Sequence, residues 1–131
     1  MNRSEPEGRE LFAIADLADE FDISTRTIRF YEAKGLLSPE RLGSARIFRR
    51  RDRARLILIL RGKRLGFSLR DISDYLSLYD THSQTAQIAL LVKKVDNRLG
   101  LLEQQSHDLE ITISELREIR KLASERLAQI D

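Results

Sequence analysis

The chain has 131 residues, 41% of them hydrophobic and 34% charged, with no tryptophan, two prolines and a formal net charge of +2. This is a helix-biased composition that suits one small domain with an extension. The absence of cysteine excludes disulfides, thiolate zinc sites, iron–sulfur clusters and cysteine nucleophiles. No apolar run approaches membrane length, and the first ten residues lack the apolar core of a signal peptide, so a cytoplasmic protein with no membrane partner is expected.

The small net charge hides a segregated one. Residues 1–23 carry 2 basic and 7 acidic side chains, residues 24–70 carry 14 and 3, and residues 71–131 carry 7 and 11, so the blocks have net charges of −5, +11 and −4. A block at +11 is the footprint of a polyanion partner, since an ordinary solvated surface interleaves its signs.

Residues 1–10, polar and with Pro6 and Gly8, read as a disordered leader. A DNA-binding domain is expected over 11–80. Leu11 to Ile14 suit a very short strand, and Ile14 to Phe21 a short amphipathic helix followed by a tight link at Asp22-Ile23. The stretch from Ser24 to Leu37 then opens with an N-cap serine, sets Ile28 and Phe30-Tyr31 as apolar surface, and stops at Gly35. Thr25, Arg26, Thr27, Arg29 and Tyr31 supply hydrogen-bond donors. Helix, tight link and a second helix rich in hydroxyls and arginines make up the layout of a helix-turn-helix.

Ser38 to Arg50 contains Pro39, which breaks a helix, and Gly43-Ser44, a turn signal between two short runs. The expected hairpin carries Arg41 on one arm and Arg46, Arg49 and Arg50 on the other, and so forms a wing able to reach phosphates or a narrow minor groove. A third helix is expected from Asp52 to Gly66, with an apolar band from Leu56 to Leu60 and at Leu65. Ser68 with Asp71 forms a capping box for a fourth helix, Leu69 to Leu78, which carries Tyr75 and Tyr79 at the rim of its apolar side.

After a break at residues 79–83 the period changes. Val92, Leu99, Ser106, Ile113, Arg120 and Leu127 are spaced by seven, as are Ile88, Val95, Leu102, Leu109, Leu116, Ala123 and Ile130. The alternation of three and four is that of a coiled coil. A long dimerisation helix over 83–131 is therefore expected, with Val92, Val95, Leu99, Leu102, Leu109, Ile113 and Leu116 in the seam against a second copy. A helical hairpin folding back on itself is the alternative, with Gly100 as its only turn signal.

These pieces resemble the MerR family of bacterial transcriptional regulators. The motifs are I-A-D-L-A at 14–18, S-T-R-T-I-R-F-Y-E-A-K-G-L-L-S-P-E-R at 24–41, R-I-F at 46–48 and L-G-F-S-L at 65–69. The resemblance implies a mainly α fold: a winged helix-turn-helix of four short helices and a small β-hairpin wing, followed by a long antiparallel coiled-coil helix. It implies a homodimer that bends and untwists a pseudo-palindromic operator in double-stranded promoter DNA, acting on RNA polymerase through the DNA. Carried over by position, Thr25, Arg26, Arg29 and Tyr31 face base edges or phosphates, and Arg41, Arg46 and Phe48 grip backbone from the wing. Three departures stand out. Arg49-Arg50-Arg51-Asp52 replaces the usual capping residue after the wing, the metal-binding cysteines of several branches are missing, and a separate drug-binding domain is not expected. The segments 61–69 and 78–80 are similar to a branch associated with branched-chain amino acid and acyl-CoA catabolism.

Two other classes remain open: an architectural nucleic-acid binder without promoter specificity, and a coiled-coil adaptor. No catalytic triad, phosphate loop or metal-ligand cluster supports an enzyme, a metal or a cofactor, and His82 and His107 read as solvated or capping residues. A small-molecule effector, of unknown identity, is placed in a cleft between the long helix of one subunit and the Tyr75 and Tyr79 region of the other; regulation without a small-molecule effector is the alternative.

Overall fold

The computed structural model describes residues 10–80 and 84–130. The expected leader lies outside the described residues except for Glu10, as do His82 and the centre of the expected break. The chain divides into two units, residues 1–88 and 89–131.

The first unit runs β1 (Leu11–Phe12), α1 (Ile14–Phe21), α2 (Thr25–Ala33), β2 (Glu40–Leu42), β3 (Ala45–Arg49), α3 (Arg50–Arg64) and α4 (Leu69–Ser77). The four short helices and the hairpin are those expected from the sequence. The helix starts follow local chemistry. Ser24 Oγ accepts the Thr27 N–H at 3.0 Å, and Ser68 Oγ accepts the Asp71 N–H at 3.1 Å while Asp71 accepts the Ser68 N–H at 3.2 Å. The unusual start of α3 is compensated: Asp52 in the first turn accepts the Arg49 N–H at 2.9 Å, and its charge opposes the positive end of the helix. α1 closes with Asp22 in the left-handed region at φ 54°, and the Ile23 N–H returns to Ala18 O at 3.0 Å. α2 closes with Gly35 N–H on Glu32 O and Leu36 N–H on Tyr31 O.

The sheet has the order β1-β3-β2, all antiparallel. In the hairpin Leu42 pairs with Ala45, which leaves Gly43-Ser44 as a two-residue turn, and Gly43 takes the positive φ of 65° that such a turn requires. β1 pairs with the other edge of β3, Phe12 opposite Phe48, and so joins the wing to the core.

That core gathers Leu17, Ile28, Leu37, Leu56, Ile59 and Ile72 from all four helices and the linker after α2. The apolar band of α3 is narrower than expected: Leu56 and Ile59 are fully buried, while Leu65 is half exposed beyond the last turn. Gly62 is there for close packing, since a Cβ added to it would stand 2.8 Å from Ile72 Cγ1 of α4. α1 and α3 are also joined by charge. Arg53 forks onto both oxygens of Glu20, at 3.0 and 2.9 Å from Nε, and lies 5.7 Å from the centre of the Phe21 ring.

The second unit is the body of α5 (Thr85–Ile130), an unbroken helix of 46 residues and about 69 Å at 1.5 Å per residue. Its continuity removes the folded-back hairpin. Val92, Leu99, Leu102, Leu109, Ile113 and Leu116 are all exposed along it, and Val95 is half-buried. Among the described residues, no helix is long and apolar enough to cross a membrane.

Candidate nucleic-acid interface

Side chains along a helix advance by 100° per residue. In α2 this sets Ile28 and Tyr31, three apart, on one side, Arg26 and Phe30 on the opposite side, and Thr25 and Arg29 on the flank between them. The first pair is buried; Arg26, Arg29 and Phe30 are exposed and Thr25 is partly so. Arg29 Nη1 donates to Thr25 Oγ1 at 3.4 Å along that flank, and Lys34 Nζ lies 5.5 Å from the centre of the exposed Phe30 ring. Thr27 belongs to the cap: its hydroxyl is 2.9 Å from that of Ser24.

Tyr31 corrects the sequence expectation. It is 2% exposed, so its ring does not face a duplex; Phe30, at 46%, is the outward aromatic. The Tyr31 hydroxyl oxygen is buried with no hydrogen-bond partner among the described residues. A buried hydroxyl without a partner costs stability that phenylalanine does not. Tyr31→Phe is therefore expected to leave DNA affinity unchanged and to raise stability by up to about 1 kcal/mol in urea denaturation. A loss of affinity at unchanged stability would return the hydroxyl to the DNA surface.

Phe48 is the second correction. It was expected to grip backbone from the wing, but it is fully buried. Strand residues alternate between faces, and the face of β3 that carries Phe48 into the core beside Phe12 also carries Arg46 towards α2. There Arg46 Nε meets Glu32 Oε1 at 2.5 Å, and Arg41 Nη2 meets Glu32 Oε2 at 3.2 Å. Arg41 and Arg46 are directly opposite each other across the hairpin. On the other face, Arg49 makes a two-pronged contact with Glu40, at 2.7 and 3.1 Å.

Partial burial pushes the Glu32 carboxyl up, but hydrogen bonds and charge from Arg46 and Arg41 outweigh it and hold the group below its ordinary range. Arg49 holds Glu40 low in the same way, through its hydrogen bonds and then its charge, and is itself raised by Glu40. Because the folded forms of both carboxyls titrate low, these links stabilise the wing above the usual carboxylate range. They are lost as pH falls through the lowered values.

Arg50 is exposed at the start of α3. Arg26, Arg29 and Arg50 thus stand outward on α2 and α3, while in the wing Glu32 holds Arg41 and Arg46 on one face and Glu40 holds Arg49 on the other. Glu32 carried no role in the sequence reading. Its signal was available: it is one of only three acidic residues in the basic block.

The two tyrosines expected beside an effector meet edge-on, with ring centroids 6.2 Å apart. The Tyr75 ring packs edge-on against Phe67 and its hydroxyl accepts from Arg61 at 3.3 Å, whereas exposed Tyr79 rims an open concavity of about 360 Å³ with Arg51, Ala54, Arg55, Leu58 and Asp80. No group of three or more His, Cys, Asp or Glu that could hold a metal occurs among the described residues.

Comparison with known proteins agrees with this geometry. The sequence model described as MerR HTH family regulatory protein matches residues 12–78, and that described as MerR, DNA binding matches residues 53–119. The mercuric resistance operon regulatory protein of Pseudomonas fluorescens is 34% identical over 113 residues, covering 82% of this chain and 75% of that protein. An uncharacterized HTH-type transcriptional regulator of Bacillus subtilis is 30% identical over 114 residues, 83% of each chain. Among solved structures, a MerR-family transcriptional regulator from Bacillus cereus shares the fold with a TM-score of 0.58 at 22% identity, over 85% of this chain and 81% of that one. The regulator PbrR691 of Ralstonia metallidurans, solved with lead(II), also gives 0.58, at 25% identity over 82% of this chain and 86% of its own. With two family models each matching half of its length and a relative 34% identical across most of it, this chain belongs to the MerR family of DNA-binding helix-turn-helix transcriptional regulators.

Proposed function

We propose that the protein is a cytoplasmic, non-enzymatic regulator that binds a pseudo-palindromic promoter operator as a homodimer. Bending and untwisting the duplex would control the access of RNA polymerase. The observation that carries this reading is the solvent-facing Thr25, Arg26 and Arg29 of α2, together with a wing whose Arg41 and Arg46 meet Glu32 of the same helix. The α2 side chains read base edges in the major groove, while Arg41, Arg46, Arg49 and Arg50 contact phosphate. Dimerisation follows from α5, whose stripe through exposed Val92, Leu99, Leu102, Leu109, Ile113 and Leu116 and half-buried Val95 is too apolar for water and repeats as a coiled-coil seam.

The test is a binding titration against the DNA upstream of its own gene, beside a scrambled duplex, at two salt concentrations. A specificity ratio of about 10³ or more supports a promoter regulator. Equal and steeply salt-dependent binding to both duplexes would favour the architectural reading, in which only the basic block acts. Within the same assay, Arg29→Ala is expected to cost about 1–3 kcal/mol on the operator and to change sequence preference, whereas Arg50→Ala weakens both duplexes alike. Equal weakening by both substitutions would remove Arg29 from base readout.

A further inference from the structure

We propose that Glu32 is a positioning residue for DNA recognition. Its single carboxylate, in the last turn of α2, holds Arg41 and Arg46, one from each strand of the wing, at a set distance from the base-reading face. The proposal rests on the reading that these two arginines reach DNA.

The geometry is specific. Arg41 and Arg46 form a directly opposed cross-strand pair, and two like charges so placed repel. Glu32 lies between them, with Oε1 to Arg46 Nε and Oε2 to Arg41 Nη2. A guanidinium has five N–H donors. Each arginine gives one of them to Glu32 and keeps the others for phosphate, so the contact orients the wing without withdrawing it from DNA. It also couples two kinds of contact. The outer face of α2 depends on base edges, and the wing depends on phosphates that every sequence offers. When the wing is tied to α2, phosphate contact is best only where α2 is seated in its own register.

The charge adds a second effect. Glu32 is one carboxylate within a surface built for a polyanion, and it repels phosphate wherever its arginines are not optimally placed. Affinity for arbitrary DNA is thereby lowered more than affinity for the operator, and specificity is this difference.

The test uses Glu32→Gln, which keeps size and an acceptor oxygen while removing the charge, with Glu32→Ala as a second variant. Each full-length variant is titrated against operator and scrambled duplexes over a range of salt concentrations. The expected result is tighter binding to the scrambled duplex and a fall of about tenfold or more in the specificity ratio, within the span that a single mismatched base pair produces. The slope of log affinity on log salt should steepen by up to about 0.9 as a released arginine engages a further phosphate. An unchanged ratio and slope would overturn the proposal. So would equal weakening on both duplexes with a lowered melting temperature, because that marks Glu32 as a stabilising residue alone. Arg41→Gln and Arg46→Gln separate this from the underlying reading: if neither reduces the salt slope, the wing arginines do not touch DNA and both ideas fall.

Discussion

Phe48→Ala is expected to destabilise the first unit by about 3–5 kcal/mol, the range for removing a fully buried phenylalanine ring. Phe48 has no exposed surface and pairs with Phe12 across the β1–β3 ladder, so its loss leaves a cavity where the wing is attached to the helical core. A small domain has about 5–15 kcal/mol in total, so the variant would be partly unfolded at moderate temperature. The wing should loosen first, because β1 has only two residues with which to hold β3. Urea denaturation gives the size of the loss. Phe48→Leu should recover most of it, since much of the volume is restored. The opposite pattern, wild-type stability with weakened operator binding, would mean that the ring touches DNA after all.

Glu20→Ala is the second large effect, about 3 kcal/mol or more. Glu20 and Arg53 have side chains only 7% and 13% exposed, so water screens their contact poorly. Removing the carboxylate leaves a guanidinium in a site without its counter-charge, which costs far more than breaking an exposed pair. Replacing both residues with apolar ones of similar volume, Glu20→Leu with Arg53→Met, should recover much of the stability because no buried charge remains. Equilibrium unfolding of the two single variants and the double one makes a cycle that isolates the pair. A cost below about 1 kcal/mol for Glu20→Ala would place the contact among ordinary surface ion pairs.

These two effects differ in how far they could be seen beforehand. Glu20 and Arg53 are 33 residues apart, each on a helix whose existence was legible, yet nothing local joins them. Phe48 stood in a recognisable strand, but a strand with two neighbours buries residues that a simple hairpin would leave facing outward. The second neighbour is a two-residue segment far upstream. The exchange of Phe30 and Tyr31 is subtler. Both aromatics follow the cap at Ser24, and the helical period alone separates them by 100°; the burial of Ile28 then decides which one turns inward.

The features determined by the sequence itself are those governed by short-range physics. Ser24 and Ser68 start helices because their hydroxyls satisfy first-turn N–H groups, and Gly43-Ser44 turns a hairpin because glycine tolerates positive φ. The seven-residue spacing from Ile88 to Ile130 requires a helix with one apolar stripe, and its unbroken length is seen in α5. The segregated charge sets a basic surface, residues 24–70, between two acidic segments. Tertiary structure alone decided which of the basic and aromatic residues remain at that surface. Tyr31 and Phe48 were drawn inward because burying a ring removes its apolar area from water. Arg41, Arg46 and Arg49 were oriented by Glu32 and Glu40, whose distance from them depends on how the wing packs against α2 and on the hairpin register. Such choices depend on the competition among distant side chains for one interior, and no stretch of chain carries that information by itself.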